Sequence, residues 1–478
     1  MPTIETSPDT GLTTDRPHPM RWPAAIVMMV AALMDLLDVT IVNVALPSIG
    51  EELHATGGQL QWLVSGYLLG FAATLIIAGH LGDRYGRKAL FLIGTGAFGL
   101  SSLASGIAQS PTELIAARGI QGVAAALIVP QVLGSFRTLF QGKERGAVFG
   151  IYGAIAGFAS AIGLLAGGAL TDADLFGWGW RSIFLVNVPV AVLVLVFGAW
   201  LVPPTTARSA GRPDLLGSLL LAGGLVAIVY PLVQGQANGW PLWGWLVLAS
   251  GLLAVAGIAI AETRRGATVP LLPARVFRLP AFSVGLVVQL LFSIGMQGFF
   301  IIFAIWLQGG QGYTPWQAGV LTAAFAAGGF LTAPPADGLA VRFGRWVLIV
   351  GALMMAGGFA WVQYAVHHAE TQHTGAWALV PGLLVAGAGL GFLIVPLANV
   401  VLSAVPADIA SAGSGILSTA QQFGGALGVA VVGTVFFRNV DAGLADAMDA
   451  AMPWVIAALL ACAVLCTVLP RRSAHVEV

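Results

Sequence analysis

Apolar runs of membrane-spanning length recur along nearly the whole 478-residue chain, and they restrict its fold more than any other feature. The sequence is 58% hydrophobic and only 9% charged, with a mean hydropathy of +0.89. These values lie far outside the range of soluble domains. Because a helix needs about 20 apolar residues to cross a bilayer, the chain is predicted to be an all-α integral membrane protein.

Counting these runs predicts about fourteen transmembrane helices. Residues 1–21 are polar and lack the short apolar core of a signal peptide, so the first span is expected to direct insertion. The predicted spans are 23–48, 60–80, 89–108, 112–134, 146–170, 181–202, 213–234, 241–261, 281–307, 317–337, 345–366, 376–404, 412–436 and 453–469, each with ends placed to about 2–4 residues.

Lysine and arginine predict the orientation, because cytoplasmic loops hold the positive excess. Basic residues precede the first span and follow the second, fourth, sixth, eighth, tenth and last spans, whereas in the alternate loops the acids outnumber the single Arg438. Both termini are therefore expected in the cytoplasm, as tails 1–21 and 471–478 of a multi-pass protein. Arginine greatly outnumbers lysine, which occurs only as Lys88 and Lys143, and Ala and Gly abound, a composition typical of GC-rich bacterial genomes. The expected location is the bacterial cytoplasmic (inner) membrane. The formal net charge is zero, so no nucleic-acid partner is expected.

Two pairs of similar sequence segments indicate an internal duplication. ALIVPQVL (126–133) in the fourth span resembles FLIVPLAN (392–399) in the twelfth, and GDRYGRK (82–88) resembles AVRFGRW (340–346). Both pairs are separated by eight spans, which predicts two similar halves with two additional helices between them.

The predicted units are an N-terminal six-helix bundle (22–202), a linker with two extra transmembrane helices (203–280) and a C-terminal six-helix bundle (281–470). Pro130 and Pro396 occupy matching places in the two halves. Each removes a backbone hydrogen bond deep inside a span, so both are expected to bend their helices.

Two acids interrupt the first apolar run, in ALMDLLDVTIVNVALPSI (32–49). Asp35 and Asp38 are three residues apart and therefore share one helix face. Ionisable groups at this depth cost about 2.5–3.5 kcal/mol on insertion scales and normally face a cavity or a partner. A functional role is favoured. The alternative, a hydrogen bond to a neighbouring helix, carries more weight for Asp35 than for Asp38.

Arg118 is a basic residue well inside a predicted span. An unpaired guanidinium in lipid is prohibitive, so we expect it to pair with Asp38 or Asp35, with Gln121 one turn away on the same polar face. Burial favours the neutral acid and a nearby arginine favours the carboxylate, so a small movement of Arg118 would change the proton affinity. The alternative is a static ion pair that orders the bundle.

Five motifs together resemble the major facilitator superfamily, and more narrowly its fourteen-span drug:proton antiporter branch. They are LDVTIVNVALP (37–47), GHLGDRYGRK (79–88), LIAARGIQGVAAA (114–126), WRSIFLVNVP (180–189) and LQGGQGYTPWQAG (307–319). The resemblance covers essentially the whole chain. It implies the fold of that superfamily and a role in proton coupling for the arginine at the place of Arg118. Asp38 and Asp35, its expected partners, complete the candidate proton-coupling group.

The sequence departs from the family pattern in two places. Leu164 stands in AIGLLAGG (161–168) where the antiporter signature of the fifth helix has a proline, which leaves proton-coupled uptake open as an alternative to export. In the second half, Val341 stands where the first half has Asp83. Only the first-half copy therefore keeps the complete charge set.

GHLGDRYGRK is interpreted as a gate loop on the cytoplasmic side. Its glycines, Gly79, Gly82 and Gly86, are expected to allow a tight turn between spans. By the resemblance, such a loop closes the cytoplasmic side in the outward-facing state. The alternative is that its cations only set the orientation of the chain. The candidate gate residues are Gly79, Asp83, Arg84, Gly86, Arg87 and Lys88.

Aromatic and neutral polar side chains within the spans are candidates for a substrate cavity, because apolar walls with a few polar groups suit amphipathic molecules. Each is more often a helix-packing contact than a ligand contact. The candidates are Trp62, Tyr67, Gln121, Gln289, Gln297, Asn399, Gln421 and Gln422.

The sequence and the resemblance together predict a proton-driven exporter of small amphipathic, drug-like or antibiotic molecules, with a carboxylate able to attract a cationic substrate. Its expected partners are this substrate, protons and lipid, and it is expected to act as a monomer. We expect no catalytic residues, metal or cofactor other than the proton as coupling ion, since no Ser/His/Asp arrangement, histidine cluster or phosphate-binding loop is found. A non-transporting membrane sensor or scaffold is a further alternative.

Overall fold

The computed structural model describes residues 19–204, 215–234, 241–265, 274–368, 375–406 and 410–470. Residues 1–18 of the predicted N-terminal tail, the C-terminal tail and parts of the linker lie outside them. The described residues form fourteen helices of at least 15 residues, numbered here in chain order. They are α1 (Arg21–Glu52), α2 (Gly57–Tyr85), α3 (Arg87–Gly106), α4 (Pro111–Leu139), α5 (Gly142–Asp172), α6 (Asn187–Leu201), α7 (Leu215–Gln234), α8 (Leu242–Arg265), α9 (Pro280–Ile305), α10 (Pro315–Phe343), α11 (Arg345–His367), α12 (Ala376–Ser403), α13 (Ala410–Arg438) and α14 (Leu444–Cys466).

These helices make the chain a multi-pass membrane protein. Among the described residues, 11 helices are long and apolar enough to cross a membrane, or 12 if α2, which bends by 49° between Leu75 and Ile77, counts as one span. Shorter apolar stretches lie in α5 (Ile162–Asp172) and α8 (Leu242–Ile258). The predicted number of fourteen spans stays a prediction.

The start of the last helix was wrongly placed by the sequence pattern. The predicted span begins at residue 453, but α14 begins at Leu444, directly after Gly443, whose φ of 126° suits a glycine. Asp446 lies in the first turn, where a helix N-terminus favours negative charge. Two of the acids that indicated a loop, Asp446 and Asp449, therefore belong to the helix, and Pro453 lies inside it.

The second helix of each half begins with the same local structure. Thr56 caps α2 by accepting from the backbone N–H of Gln59, whose side chain in turn accepts from the backbone N–H of Thr56. Thr314 and Gln317 form the same reciprocal pair at the start of α10. Each pair satisfies two backbone donors that the first turn leaves free.

The two halves also share their helix packing. In the first half, α1 packs on α4, α5 and α6, α4 packs on α2 and α3, and α3 packs on α6. The same pairings, each with its helix numbers raised by eight, occur among α9 to α14. Helix α7 packs on α8 and lies against both α2 and α13, so the additional pair sits beside the junction of the halves. The predicted boundaries of the units stay predictions.

The halves meet closely on the side of the bundle where α1 ends and α2 begins, here called the closed side. A Cβ built on Gly168 of α5 would lie 2.4 Å from the carbonyl oxygen of Pro315, and one on Gly319 would lie 2.5 Å from that of Leu164. The backbone N–H of Trp316 donates to Asp172 Oδ2 over 3.2 Å. Only glycine permits so close an approach of two backbones.

The opposite side, which carries residues 79–88, is called the gate-loop side. A Cβ built on Gly150 or Gly153, near that end of α5, would have no atom within 4 Å, and the same holds for Gly338 in α10. The glycines of α5 and α10 therefore have room on the gate-loop side but not on the closed side.

The prolines of the similar segments 126–133 and 392–399 lie inside continuous helices, Pro130 in α4 and Pro396 in α12. The 49° bend instead lies in α2, between Leu75 and Ile77, where the sequence has no proline. That Pro130 and Pro396 bend the chain during a functional cycle stays a prediction.

Candidate functional site

A polar network is buried between α1, α4 and α6, with Asp38 at its centre. The Asp38 side chain has no exposed surface. Its Oδ2 accepts from Arg118 Nη1, and its Oδ1 accepts from Gln121 Nε2 over 2.9 Å and from Asn187 Nδ2 over 3.1 Å. Three donors, one of them cationic, thus make hydrogen bonds to this carboxylate, and the bond from Arg118 is charge-assisted.

Two further side chains complete this network, and the sequence analysis did not single them out. Ser102 Oγ accepts from both Gln121 Nε2 (3.2 Å) and Asn187 Nδ2 (3.1 Å), and it donates to the carbonyl oxygen of Phe184 over 3.0 Å. Asn187 lies within WRSIFLVNVP, so the motif marked its segment but not its contact. Ser102 gave no sequence signal, because buried serines in packed helices are common.

Arg118 is held on several sides, with 2% of its side chain exposed. It pairs with Asp38, donates from Nη1 to Gln121 Oε1 over 2.8 Å, and directs Nε at the carbonyl oxygen of Leu63 over 3.4 Å. Its guanidinium carbon lies 4.2 Å from the centre of the Tyr67 ring, a cation–π contact. The expected partners, Asp38 and Gln121, are thus the observed ones, and a role in proton coupling stays a prediction.

Asp35 lies outside that network, although it shares a face of α1 with Asp38. It is 3% exposed, and Tyr67, which is 1% exposed, donates its hydroxyl to Asp35 Oδ1. Tyr67 therefore contacts both charged centres, with its ring on Arg118 and its hydroxyl on Asp35. The sequence placed this tyrosine in a cavity wall and gave no sign of the bridge.

The gate segment is mostly helical, which corrects the expectation of a glycine-rich turn. Gly79 and Gly82 lie inside α2, and Gly86 alone separates α2 from α3 with φ of 99°. A Cβ on Gly82 would lie 1.8 Å from Gln131 Oε1, so this glycine serves close packing on α4. The junction of α10 and α11 repeats the arrangement, with Gly344 at φ of 59°.

The charged gate side chains bind within the first half. Arg87 Nη2 donates to Asp83 Oδ1 over 2.8 Å, and Nη1 reaches the carbonyl oxygen of Gly134 on α4 over 2.5 Å. Lys88 Nζ donates to the carbonyl oxygen of Ala199 on α6 over 2.7 Å. Arg84 is exposed and lies over the ring of Tyr85. These contacts join the helix ends of the first bundle.

The remaining cavity candidates are dispersed. The Trp62 ring lies 5.9 Å from that of Tyr230 on α7, which places it against the additional helix pair. Asn399 Nδ2 donates to Asp337 Oδ1 over 2.8 Å. Both contacts favour packing over substrate contact for these two residues.

Four glutamines complete that set. Gln289 is buried and donates to Ser293 on its own helix over 3.2 Å. Gln297 lies against Gly425 of α13, Gln421 is exposed and Gln422 is half-buried. A contact of any of the four with a substrate stays a prediction.

A separate pocket of about 360 Å³ opens between the starts of α10 and α12 on the closed side. Aromatic side chains dominate its wall, and none of the predicted cavity residues lines it. Exposed aromatics are frequent where helices meet a membrane surface. The lining residues are Tyr313, Trp316, Gln317, Val320, Leu321, Trp377 and Val380.

Comparison with known families gives one match over most of the chain. The model described as Major Facilitator Superfamily matches residues 28–429. Among curated proteins, the probable actinorhodin transporter of Streptomyces coelicolor is 36% identical over 450 residues, covering 92% of this chain and 77% of that protein. The puromycin resistance protein pur8 of Streptomyces alboniger is 37% identical over 455 residues, covering 93% and 88%.

Solved structures with a similar fold include transporters of distant sequence. A POT family peptide transporter superposes with a TM-score of 0.67 at 16% identity, covering 96% of this chain and 99% of that one. The nucleoside transporter NupG superposes with a TM-score of 0.66 at 11% identity, covering 93% and 99%. At such identities the likeness speaks to the fold alone.

Proposed function

Because the chain belongs to the Major Facilitator Superfamily, we propose that it exports antibiotic-like molecules across the cytoplasmic membrane in exchange for protons. Relatives named as a probable actinorhodin transporter, as a puromycin resistance protein and as a tetracenomycin C resistance and export protein support the substrate class. The observation that carries the coupling proposal is the buried group of Asp35, Asp38 and Arg118, since ionisable groups inside a membrane mark ion pathways.

The proposed cycle is one of alternating access between the two halves. A carboxyl that faces outward takes a proton and releases cargo; facing inward, it loses the proton and accepts cargo again. One proton moving down the membrane potential supplies about 2.3 kcal/mol per 100 mV, enough for more than a tenfold concentration gradient. The two halves are in tight contact on the closed side, and the glycines on the gate-loop side have empty space around them. Both observations support the proposal that this structure is in an inward-facing state.

The proposed topology has fourteen spans, with α5 and α8 crossing the membrane as well, and with both termini in the cytoplasm. Alternation of basic and acidic loops supports this orientation. We propose substrates that are small and amphipathic, including cations that a buried carboxylate attracts.

A susceptibility panel in a bacterial host without its own pumps tests export. Wild type is expected to raise the tolerated dose of puromycin or of another amphipathic antibiotic, and Asp38→Asn is expected to abolish the gain. Arg278→Gln, which removes an exposed arginine outside the buried network and the gate loop, serves as the matched control and should retain tolerance. If wild type raises the tolerance of no compound, export of drugs is contradicted.

Proton-coupled uptake is the second candidate. Leu164 favours uptake, because this residue stands where the antiporter signature on α5 has a proline. The carbonyl oxygen of Leu164 faces Gly319 on the closed side, so this departure from the family pattern lies where the two halves are in contact. In everted vesicles, cargo should dissipate a pre-formed proton gradient if the protein is an antiporter. Proton-driven accumulation in right-side-out vesicles would instead identify uptake.

An Asp83→Asn variant tests the proposed gate. Asp83 is 38% exposed, so its pair with Arg87 is expected to contribute only about 0.2–1 kcal/mol after solvent screening. The melting temperature should therefore change little, whereas transport should fall because Arg87 loses the acid that fixes it beside α4. Equal losses of transport in Asp83→Asn and in Arg278→Gln, which removes an exposed arginine outside the gate loop, would contradict a specific gate role for Asp83.

A further inference from the structure

The two acids of α1 have different environments, although they are three residues apart. Asp38 has three described donors, Arg118, Gln121 and Asn187, whereas the described donor to Asp35 is the hydroxyl of Tyr67. Protonating Asp38 would leave a buried guanidinium without its counter-charge. Protonating Asp35 would keep its hydrogen bond, because a tyrosine hydroxyl both donates and accepts.

Asp35 also lies nearer to the gate-loop side. Helix α1 starts on that side at Arg21, so Asp35 precedes Asp38 by about 4.5 Å along the axis. The glycines with open surroundings, Gly150 and Gly153 of α5, lie towards the same side. A proton or a cation that enters from there meets Asp35 first.

Tyr67 is fixed between these acids and α4. A Cβ on Gly122 of α4 would lie 2.1 Å from the Tyr67 carbonyl oxygen, so the backbones of α2 and α4 are in direct contact at this residue. The Tyr67 ring lies over Arg118 at 4.2 Å and the hydroxyl donates to Asp35. A change at Asp35 therefore acts on a side chain that also covers Arg118.

We propose that Asp35 is the group that exchanges its proton for cargo. Tyr67 is the positioning residue through which the binding of a proton or of cargo at Asp35 affects the Arg118–Asp38 pair. This inference rests on the proposed antiport and gives the two acids separate roles. Asp38 holds Arg118 through their buried ion pair. When Asp35 takes up a proton, the Tyr67 hydroxyl must turn from donor to acceptor, and a cationic cargo competes with that hydroxyl for the carboxylate. Either change alters how the Tyr67 ring is held on Arg118.

The titratable and charged groups facing Asp35 in the described part of the chain come from four helices. They are Asp38 on α1, Tyr67 on α2, Arg118 on α4 and Tyr152 on α5. Of the two tyrosines, Tyr67 has a described hydrogen bond to Asp35. Tyr152 thus offers a matched control for removing a hydroxyl in the same surroundings.

Infrared titration of the full-length protein in liposomes, with no cargo present, tests the assignment. The band of a protonated carboxyl should titrate in wild type, disappear in Asp35→Asn and persist in Asp38→Asn. Tyr67→Phe should strengthen proton binding about tenfold to hundredfold, moving the midpoint up by about one to two pH units, because a hydrogen bond to the charged form is lost. Tyr152→Phe should leave the midpoint near that of wild type.

A band that persists in Asp35→Asn but vanishes in Asp38→Asn would overturn the proposal, as would an unchanged midpoint in Tyr67→Phe. Folding is checked by melting temperature. Tyr67→Phe keeps the ring on Arg118 and should melt near wild type, whereas Tyr67→Leu should melt lower. Since the titration needs no transport, failure of the export assay with the expected infrared pattern would reject the antiport proposal but leave the assignment of Asp35.

Discussion

Arg118→Leu is expected to destabilise the protein by about 3–5 kcal/mol, because it leaves the Asp38 carboxylate buried without its counter-charge. The Arg118 and Asp38 side chains are 2% and 0% exposed, so water cannot replace the lost partner. Gln121 and Asn187 would still donate to Asp38, but neither is charged. Thermal unfolding in detergent measures the loss.

A double-mutant cycle separates the pair from its surroundings. Arg118→Leu combined with Asp38→Leu should cost less than the sum of the two single variants, with a coupling of about 0.5–3 kcal/mol. Arg84→Gln removes an exposed arginine and should have little effect on stability. Additive losses in the cycle would mean that Arg118 and Asp38 do not form the pair described here.

Gly168→Val is expected to move the conformational equilibrium away from the state that is shut on the closed side. A Cβ at Gly168 would lie 2.4 Å from the Pro315 carbonyl oxygen and 2.8 Å from the Trp316 Cα, and these backbone atoms cannot rotate away. The added side chain therefore disfavours one of the two states, which shifts the populations. Gly150→Val, on the same helix with nothing within 4 Å, is the matched control.

Spin labels on opposite halves report this shift. Phe176→Cys, after α5, and Trp377→Cys, at the start of α12, place labels at sites that are each 87% exposed. The native thiols, Cys462 and Cys466, are buried. Pulsed electron–electron double resonance should show longer distances between the two labels in Gly168→Val than in wild type. In Gly150→Val the distances should equal those of wild type. An unchanged distribution in Gly168→Val would show that the contact does not hold the halves together.

The sequence predicted the helical architecture well because lipid imposes a simple rule on it. A helix must satisfy its own backbone hydrogen bonds in a membrane, so apolar length alone marks the spans. The rule fails at helix ends outside the apolar region, as at Leu444, where acids continue the helix. It also fails at GHLGDRYGRK, where Gly86 alone breaks the helix although three glycines suggested a turn.

The sequence predicted the charged residues of the site, because a charged group buried in a membrane needs an oppositely charged partner. A buried Arg118 must find an acid, and that argument led to Asp38 or Asp35, of which Asp38 is the observed partner. The neutral residues Ser102 and Asn187 carry no such demand, so only tertiary contacts reveal them. The position of Tyr67 between two charged centres likewise depends on how α2 lies against α4, which no local pattern encodes.

Cargo-driven proton release in everted vesicles tests the central claim most directly. The cargo is the antibiotic for which the wild-type protein raises the tolerated dose of the bacterial host most. Wild type should dissipate a pre-formed proton gradient when this compound is added. The double variant Asp35→Asn, Asp38→Asn should not do so, although the protein is present in the membrane in equal amount. Gradient dissipation by the double variant at the wild-type rate would contradict the account, because neither buried acid would then carry the proton.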